Sequence, residues 1–409
     1  MRPPNAQEDP RQMQLTISER VPLVIVAFLV ALALLVLGAA AAPGAGAQTY
    51  KDVGKHYWAY SSIKWVTNRG PAGNKLLDDF GSKFKPDQPR TREQLARTLV
   101  IALGMQDETV KPVALPDMPP SDPYYWFVQI ALARGLVSAT NDGFHPDQPV
   151  LEWQADRAVV RLLKRLNPKN DWSMLTALDP NKWEPNQGWK TGAPGYLPWE
   201  VAARQLGLRY DHPDDKLELS PTEAMPRGEM AYTLRAALNL STWQIGSLSS
   251  FDKVTLPPLS ARQKQVISFA LDYVGYPYVW GGEWDGKDSP YGWQAHGGFD
   301  CSGFVWWVLK IHFKYPISVN ERGASNMAQS AKPRISRKKL LPGDIIFFGP
   351  KGPSSPWNTI YHAAIYLGNG WFIQSTGSSD GVSLASLDWP GYWKTYFAWG
   401  RRVLKKSEL

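Results

Sequence analysis

The chain has a single cysteine, Cys301, in the run Gly298-Phe299-Asp300-Cys301-Ser302-Gly303, followed by the apolar Phe304-Val305-Trp306-Trp307-Val308-Leu309. An Asp that can cap a helix precedes an apolar stretch, so the spacing predicts Cys301 in the first turn of a helix. Unpaired amides and the positive end of the helix dipole stabilise a thiolate there and lower its pKa. The same amides can hold an oxyanion during acyl transfer. Asp300 opposes the effect as a neighbouring negative charge, so a cationic base is needed as well. Of six histidines, His56, His145 and His212 fall in a repeated region, His296 in a Gly-rich loop and His312 far along the Cys301 helix. His362 opens the alternating run His362-Ala363-Ala364-Ile365-Tyr366-Leu367, which turns at Gly368-Asn369-Gly370 into Trp371-Phe372-Ile373-Gln374-Ser375. This reads as a β-hairpin. A loop centred on Gly368 puts His362 and Gln374 directly opposite each other, on one face. Gln374 would then fix the imidazole tautomer and leave the other nitrogen to activate the thiol.

These residues need a scaffold, and 409 residues suffice for two or three domains. Hydrophobic content of 44% and charged content of 20% describe a globular chain. The 19 Trp suit flat sugar or peptide surfaces as well as large cores. The net charge of +8 favours anionic partners, but the basic residues are scattered and do not form a nucleic-acid footprint. Arg2, Arg11 and Arg20 precede an uncharged apolar run over 21–37, and small residues end in Ala45-Gly46-Ala47. That pattern is a signal peptide over 1–47, cleaved after Ala47, or else an uncleaved anchor over 21–42. Either places the remainder outside the cytoplasmic membrane, with no membrane contact once the signal is cleaved. An exported chain with one Cys cannot form an internal disulfide, which leaves Cys301 as a buried hydrophobe, an intermolecular link or a working thiol.

Phe84-Lys85-Pro86-Asp87-Gln88-Pro89 returns as Phe144-His145-Pro146-Asp147-Gln148-Pro149, and each leads into an apolar-periodic helix. A weaker third copy ends in Leu219-Ser220-Pro221 and a helix from Arg227. Three helix–loop–helix units over 48–104, 112–166 and 170–243 are expected to share one core, since none can bury its apolar face alone. Residues 244–259, with Ser, Gly and Pro, read as a linker. The repeats resemble the S-layer homology repeat: its opening is Asp52-Val53…His56-Tyr57-Trp58, and its Thr-Arg-Ala-Glu signature is Thr91-Arg92-Glu93-Gln94. The resemblance implies docking onto an anionic cell-wall glycopolymer, with Arg92, Arg227 and Trp58 in the grooves. The second copy, Leu151-Glu152-Trp153-Gln154, lacks the Arg. The alternative is a scaffold that only positions the catalytic domain.

Residues 260–405 carry four ordered motifs: Tyr278-Val279-Trp280-Gly281-Gly282, Asp300-Cys301-Ser302-Gly303, Leu341-Pro342-Gly343-Asp344-Ile345-Ile346-Phe347-Phe348 and the His362–Gly370 run. They resemble the NlpC-type family of cell-wall cysteine peptidases. The resemblance implies an α+β class, with a papain-like domain of helices on an antiparallel sheet behind a mainly helical three-repeat domain. It implies Cys301 as nucleophile, His362 as general base and Gln374 as the third polar residue. Tyr278 would line the site with Trp280 of the same motif, and Asp300 and Ser302 would hold a substrate amine. The implied reaction is hydrolysis of a peptidoglycan stem-peptide amide, between D-γ-glutamyl and a diamino acid. An amidase or acyltransferase of related fold and a non-catalytic wall-binding protein are the alternatives. No cofactor or metal is expected, since the chain has no His-x-x-x-His or Cys-x-x-Cys ligand set. Two departures stand out: a long aromatic segment over 283–299, and a poorly kept Pro-Arg-Thr stretch near 319–325.

Overall fold

The computed structural model describes residues 49–70, 74–186 and 189–409. The expected signal segment lies outside them. Among the described residues no helix is long and apolar enough to cross a membrane.

The first part of the fold is three helix pairs: α1 (Tyr60–Thr67) with α2 (Arg92–Ala102), α3 (Tyr125–Ala133) with α4 (Glu152–Leu166), and α5 (Leu197–Gln205) with α6 (Arg227–Leu238). The second helix of each pair packs on the first helix of the next: α2 on α3, α4 on α5, and α6 back on α1. The loops before α2, α4 and α6 close the cycle. Arg90 N–H donates to the Met225 carbonyl (3.1 Å), Met225 N–H to Val150 (2.8 Å) and Val150 N–H to Arg90 (2.8 Å). The repeated loop has a local cause. Lys85 (φ 58°) and His145 (φ 57°) take the left-handed conformation. Asp52 accepts the Phe84 and Lys85 amides at 2.9 and 2.8 Å, and Asp117 accepts those of Phe144 and His145 at 3.0 and 2.6 Å.

Residues 244–259 do not behave as the expected linker. Ser247–Phe251 is a 3-10 helix following Thr242–Gly246. Ile245, Leu248, Phe251 and Val254, three residues apart, are buried, as the three-residue turn of a 3-10 helix allows. The Phe251 ring packs against Trp371 (5.9 Å) and Trp389 (5.0 Å). Its Ser and Gly residues occupy the remaining faces, so composition masked an apolar stripe.

Helix α7 (Ala261–Leu271) opens the last part, with Ser260 and Gln263 capping it reciprocally. The segment expected to be unusual folds as nested ribbons: β1 (Glu283–Trp284) pairs with β4 (Gly298–Phe299), and β2 (Asp288–Ser289) with β3 (Gly292–Trp293). Helix α8 (Cys301–Val305) follows and continues as a π-helix over Trp306–His312. An α-helix was expected throughout; the wider turn accommodates the adjacent buried indoles of Trp306 and Trp307. The sheet contains β5 (Ile345–Phe348), β6 (His362–Gly368), β7 (Trp371–Thr376), β8 (Gly381–Ser386) and β9 (Phe397–Arg401), in the order β8-β7-β6-β5-β9. Every pairing is antiparallel. Both faces are covered, so every residue of β5, β6, β8 and β9 is buried. Helix α8 packs across β6 and β7. The class is α+β, as expected.

Candidate active site

Cys301 begins α8. Asp300 is its N-cap, accepting the Gly303 amide at 2.7 Å. Two glycine motifs are physically joined beneath the nucleophile. The Gly282 carbonyl accepts the Asp300 amide at 2.9 Å. A Cβ on Gly303 would lie 1.9 Å from that carbonyl oxygen, so only glycine lets the two segments approach. The thiol lies against the strand that carries the base, with Sγ 3.9 Å from the Tyr361 carbonyl.

His362 and Gln374 meet, but not in the expected register. Ile365 pairs with Ile373, Tyr366 with Phe372 and Gly368 with Trp371. The turn is therefore two residues, Asn369 (φ 47°) and Gly370 (φ 87°), the positive-φ pair that the tightest hairpins require. Gln374 stands two places along from the position opposite His362. Even spacing keeps both on one face, and the diagonal is bridged by a hydrogen bond of 2.7 Å between His362 Nε2 and Gln374 Oε1. Since Gln Oε1 only accepts, Nε2 carries the proton and Nδ1 is the basic nitrogen. Phe348 (5.5 Å) and Trp393 (5.4 Å) pack on the imidazole.

Burial works against a second expectation. Burial, and then the Asp300 carboxylate, push the Cys301 thiol up to about 12, against weaker help from backbone hydrogen bonds and Arg322. Burial pushes His362 down to about 4, with Gln374 and Asp300 opposing. Both shifts favour the uncharged forms, against the thiolate expected from the helix terminus.

Tyr278 sits beside the nucleophile on the segment paired with Phe299. Burial raises its phenol, and a charge on Cys301 would raise it further. The Trp280 side chain is 78% exposed, and its backbone N–H donates to Asp215 of the third repeat at 3.0 Å. Asp300 and Ser302 were expected to hold a substrate amine, but both are already engaged. Arg322 Nη1 donates to Asp300 Oδ1 and Ser302 Oγ at 3.0 Å each, and Nη2 to Asp300 Oδ2 at 3.1 Å and the Gly282 carbonyl at 2.8 Å. Its Nε pairs with Glu283 at 2.5 Å. One guanidinium thus ties together the Gly-Gly loop, the ribbon over 283–299 and the cap of α8. Sequence reasoning missed Arg322; the signal was a lone Arg in the segment where Pro-Arg-Thr is degraded. The Asp of the Leu-Pro-Gly-Asp motif is also structural: Asp344 accepts a two-pronged pair from Arg402 at 2.8 Å and caps the turn into β5.

Of the residues expected in wall-polymer grooves, Arg227 is enclosed, whereas Trp58 and Arg92 keep partial exposure. Arg227 is 0% exposed: its Nε donates to the Phe84 carbonyl (2.8 Å), and it pairs with Asp78 (3.3 Å). It locks α6 to the first repeat and has no face for a polymer, which corrects that expectation. Trp58 stacks on Tyr210 (4.8 Å) and edges His212 (4.5 Å). Arg92 keeps partial exposure, and its guanidinium donates to the Phe144 and Ser138 carbonyls at 2.7 Å.

Comparison with known proteins follows the same division. Residues 275–402 match the NlpC/P60 family. Residues 114–151, within the second repeat, match the S-layer homology domain. Murein DD-endopeptidase MepH of Escherichia coli (strain K12) is 32% identical over 148 residues, covering 36% of this chain and 48% of that protein. Probable peptidoglycan endopeptidase LytE of Bacillus subtilis (strain 168) is 33% identical over 145 residues, 35% of each. Gamma-D-glutamyl-L-lysine dipeptidyl-peptidase of Bacillus cereus (strain ATCC 10987 / NRS 248) is 25% identical over 215 residues, 51% of this chain and 58% of that protein. The chain thus spans between about a third and three fifths of these relatives. Its C-terminal part is an NlpC/P60 domain, placed behind a helical region with an S-layer homology match.

Proposed function

We propose that the chain is a cell-wall-associated cysteine peptidase that hydrolyses a stem-peptide amide of peptidoglycan, between D-γ-glutamyl and a diamino acid. The observation that carries the chemistry is the 2.7 Å bond that fixes Nε2–H of His362 on Gln374, with the thiol at the start of α8 set 3.9 Å from the carbonyl of Tyr361, the residue before the base. The choice of bond is supported by the Bacillus cereus relative, whose name specifies γ-D-glutamyl-L-lysine. The S-layer homology match supports a place at the cell surface.

From the neutral pair, His362 Nδ1 removes the thiol proton as Sγ attacks the amide carbonyl. Amides at the start of α8 hold the oxyanion. The imidazolium then protonates the leaving amine, and the neutral imidazole activates water against the thioester. Charge appears on His362 only transiently, opposite the thiolate it creates.

Purified sacculi digested by the protein, with muropeptides weighed by mass spectrometry, test the reading. Cleavage at γ-glutamyl is expected, and none with Cys301→Ala. Unchanged stem peptides would exclude the endopeptidase, and equal digestion by the variant would exclude the cysteine mechanism.

A further inference from the structure

The joint between the repeats and the catalytic domain encloses charge that the catalytic site does not use. Glu152 and Asp156 lie one turn apart on α4, and Glu200 faces them from α5; all three are fully buried. One oxygen from each lies within 4.8 Å of the others. None of the six carboxylate oxygens accepts a hydrogen bond. Arg209 Nε approaches Glu152 Oε1 at 2.5 Å, and Arg204 lies 3.6 Å from Glu152 and 3.5 Å from Glu200. Asp156 has neither a hydrogen bond nor an ion pair among the described residues. Around this core Glu218, Glu229 and Asp380 are buried too, with Arg204 3.4 Å from Asp380 and His212 2.6 Å from Glu229. Asp211, partly exposed, borders Glu218 and Asp380. Six buried carboxylates therefore face two guanidiniums and one imidazole. Unmatched buried charge costs several kcal/mol per ion, so such a cluster needs further neutralisation.

We propose that this joint binds one calcium ion, ligated by the carboxylates of Glu152, Asp156 and Glu200. The donors are all hard oxygens, which suit Ca²⁺ or Mg²⁺ and not zinc or copper. Calcium is favoured because it takes six to eight oxygens at about 2.3–2.6 Å in flexible geometry, whereas Mg²⁺ keeps much of its water and rarely enters an all-protein cage. A divalent ion halves the excess negative charge of the cluster and gives Asp156 the partner that no side chain supplies. The two arginines remain useful, because Arg204 carries the coupling onward. Its guanidinium donates to the Gly275 carbonyl, at the start of the segment that leads to Tyr278, and pairs with Asp380 in the loop between β7 and β8. The ion therefore fastens α4 of the second repeat to α5 of the third, and through Arg204 holds the catalytic domain on the repeats. This inference is independent of which amide the enzyme cuts.

The test uses the purified protein stripped with EGTA. Calorimetric titration with CaCl₂ is expected to show one site, and thermal unfolding to shift upward by about 3–5 °C at calcium a hundredfold above its Kd. MgCl₂ at the same concentrations is expected to give less than half that shift. Asp156→Asn and Glu200→Gln, which keep side-chain volume, should each weaken calcium binding at least tenfold. Absence of calcium binding to the wild-type protein overturns the proposal without any variant and leaves protons as the neutralising species. Undiminished binding by both variants places the ion elsewhere and also overturns it. An equal response to magnesium refutes the calcium assignment.

Discussion

Replacing Gln374 by Leu isolates the group that sets the tautomer of the base. Leu has nearly the volume of Gln, so the buried site (2% exposed) stays filled while the acceptor is lost. The 2.7 Å bond to His362 Nε2 then has no substitute acceptor, since the rings of Phe348 and Trp393 pack on the imidazole. An unsatisfied buried N–H costs about 1–3 kcal/mol. Part of that cost is relieved when the proton moves to Nδ1, the nitrogen that must accept the thiol proton. At about 1.4 kcal/mol per tenfold, kcat/KM falls about 5- to 150-fold. KM is expected to change little, because Gln374 touches the base and not the substrate. The assay is release of product from a purified muropeptide, with circular dichroism to confirm the fold. Gln374→His, which restores a hydrogen-bond partner, should recover part of the rate. A folded Gln374→Leu protein with kcat/KM within twofold of wild type would show that tautomer control by this residue is not part of the mechanism.

Because burial holds His362 near 4 and raises Cys301 to about 12, the acid limb of kcat/KM should fall at about pH 4, where the imidazole protonates and can no longer accept. Iodoacetamide should correspondingly alkylate Cys301 slowly at pH 7 and faster above pH 9; rapid, pH-independent alkylation from pH 5 would demonstrate a resting ion pair instead. Arg322→Lys keeps the charge but loses the fork that spans Asp300, Glu283 and Ser302, so kcat should drop at least tenfold, with unfolding destabilised by about 1–3 kcal/mol in a denaturant titration. Gly303→Ala forces its Cβ against the Gly282 carbonyl and should cost about 1–3 kcal/mol or more, with kcat falling about a hundredfold; wild-type activity would mean that the two loops can separate freely. Arg227→Met should lower Tm by several degrees through loss of the Asp78 and Phe84 partners, while sedimentation with walls per folded molecule stays unchanged; loss of pelleting without loss of stability would restore its role in polymer binding.

Much of the architecture is local information and could be read along the chain. A two-residue alternation announces β6 and β7, a three- to four-residue period announces the repeat helices, and Asp300 before an apolar run announces the start of α8. Residue type alone then singles out Cys301, because one thiol in such a context has few other uses. Quantities that depend on distance and solvent were decided only by the tertiary structure. The hairpin register turned on the positive φ of Asn369 and Gly370, which moved Gln374 two places and kept it in reach only because strand side chains alternate. Burial shifts both Cys301 and His362 toward their uncharged forms, which opposes the effect expected from the helix terminus. Arg227 looked like a ligand-binding signature and became an internal tie, because the cycle of three repeats folds back over it. Glu152, Asp156, Glu200 and Asp380 are unremarkable along the chain and form one charged cluster only when three distant segments converge. Sequence specifies which groups are present and their local geometry; desolvation and long-range proximity, which set their chemistry, exist only in the folded chain.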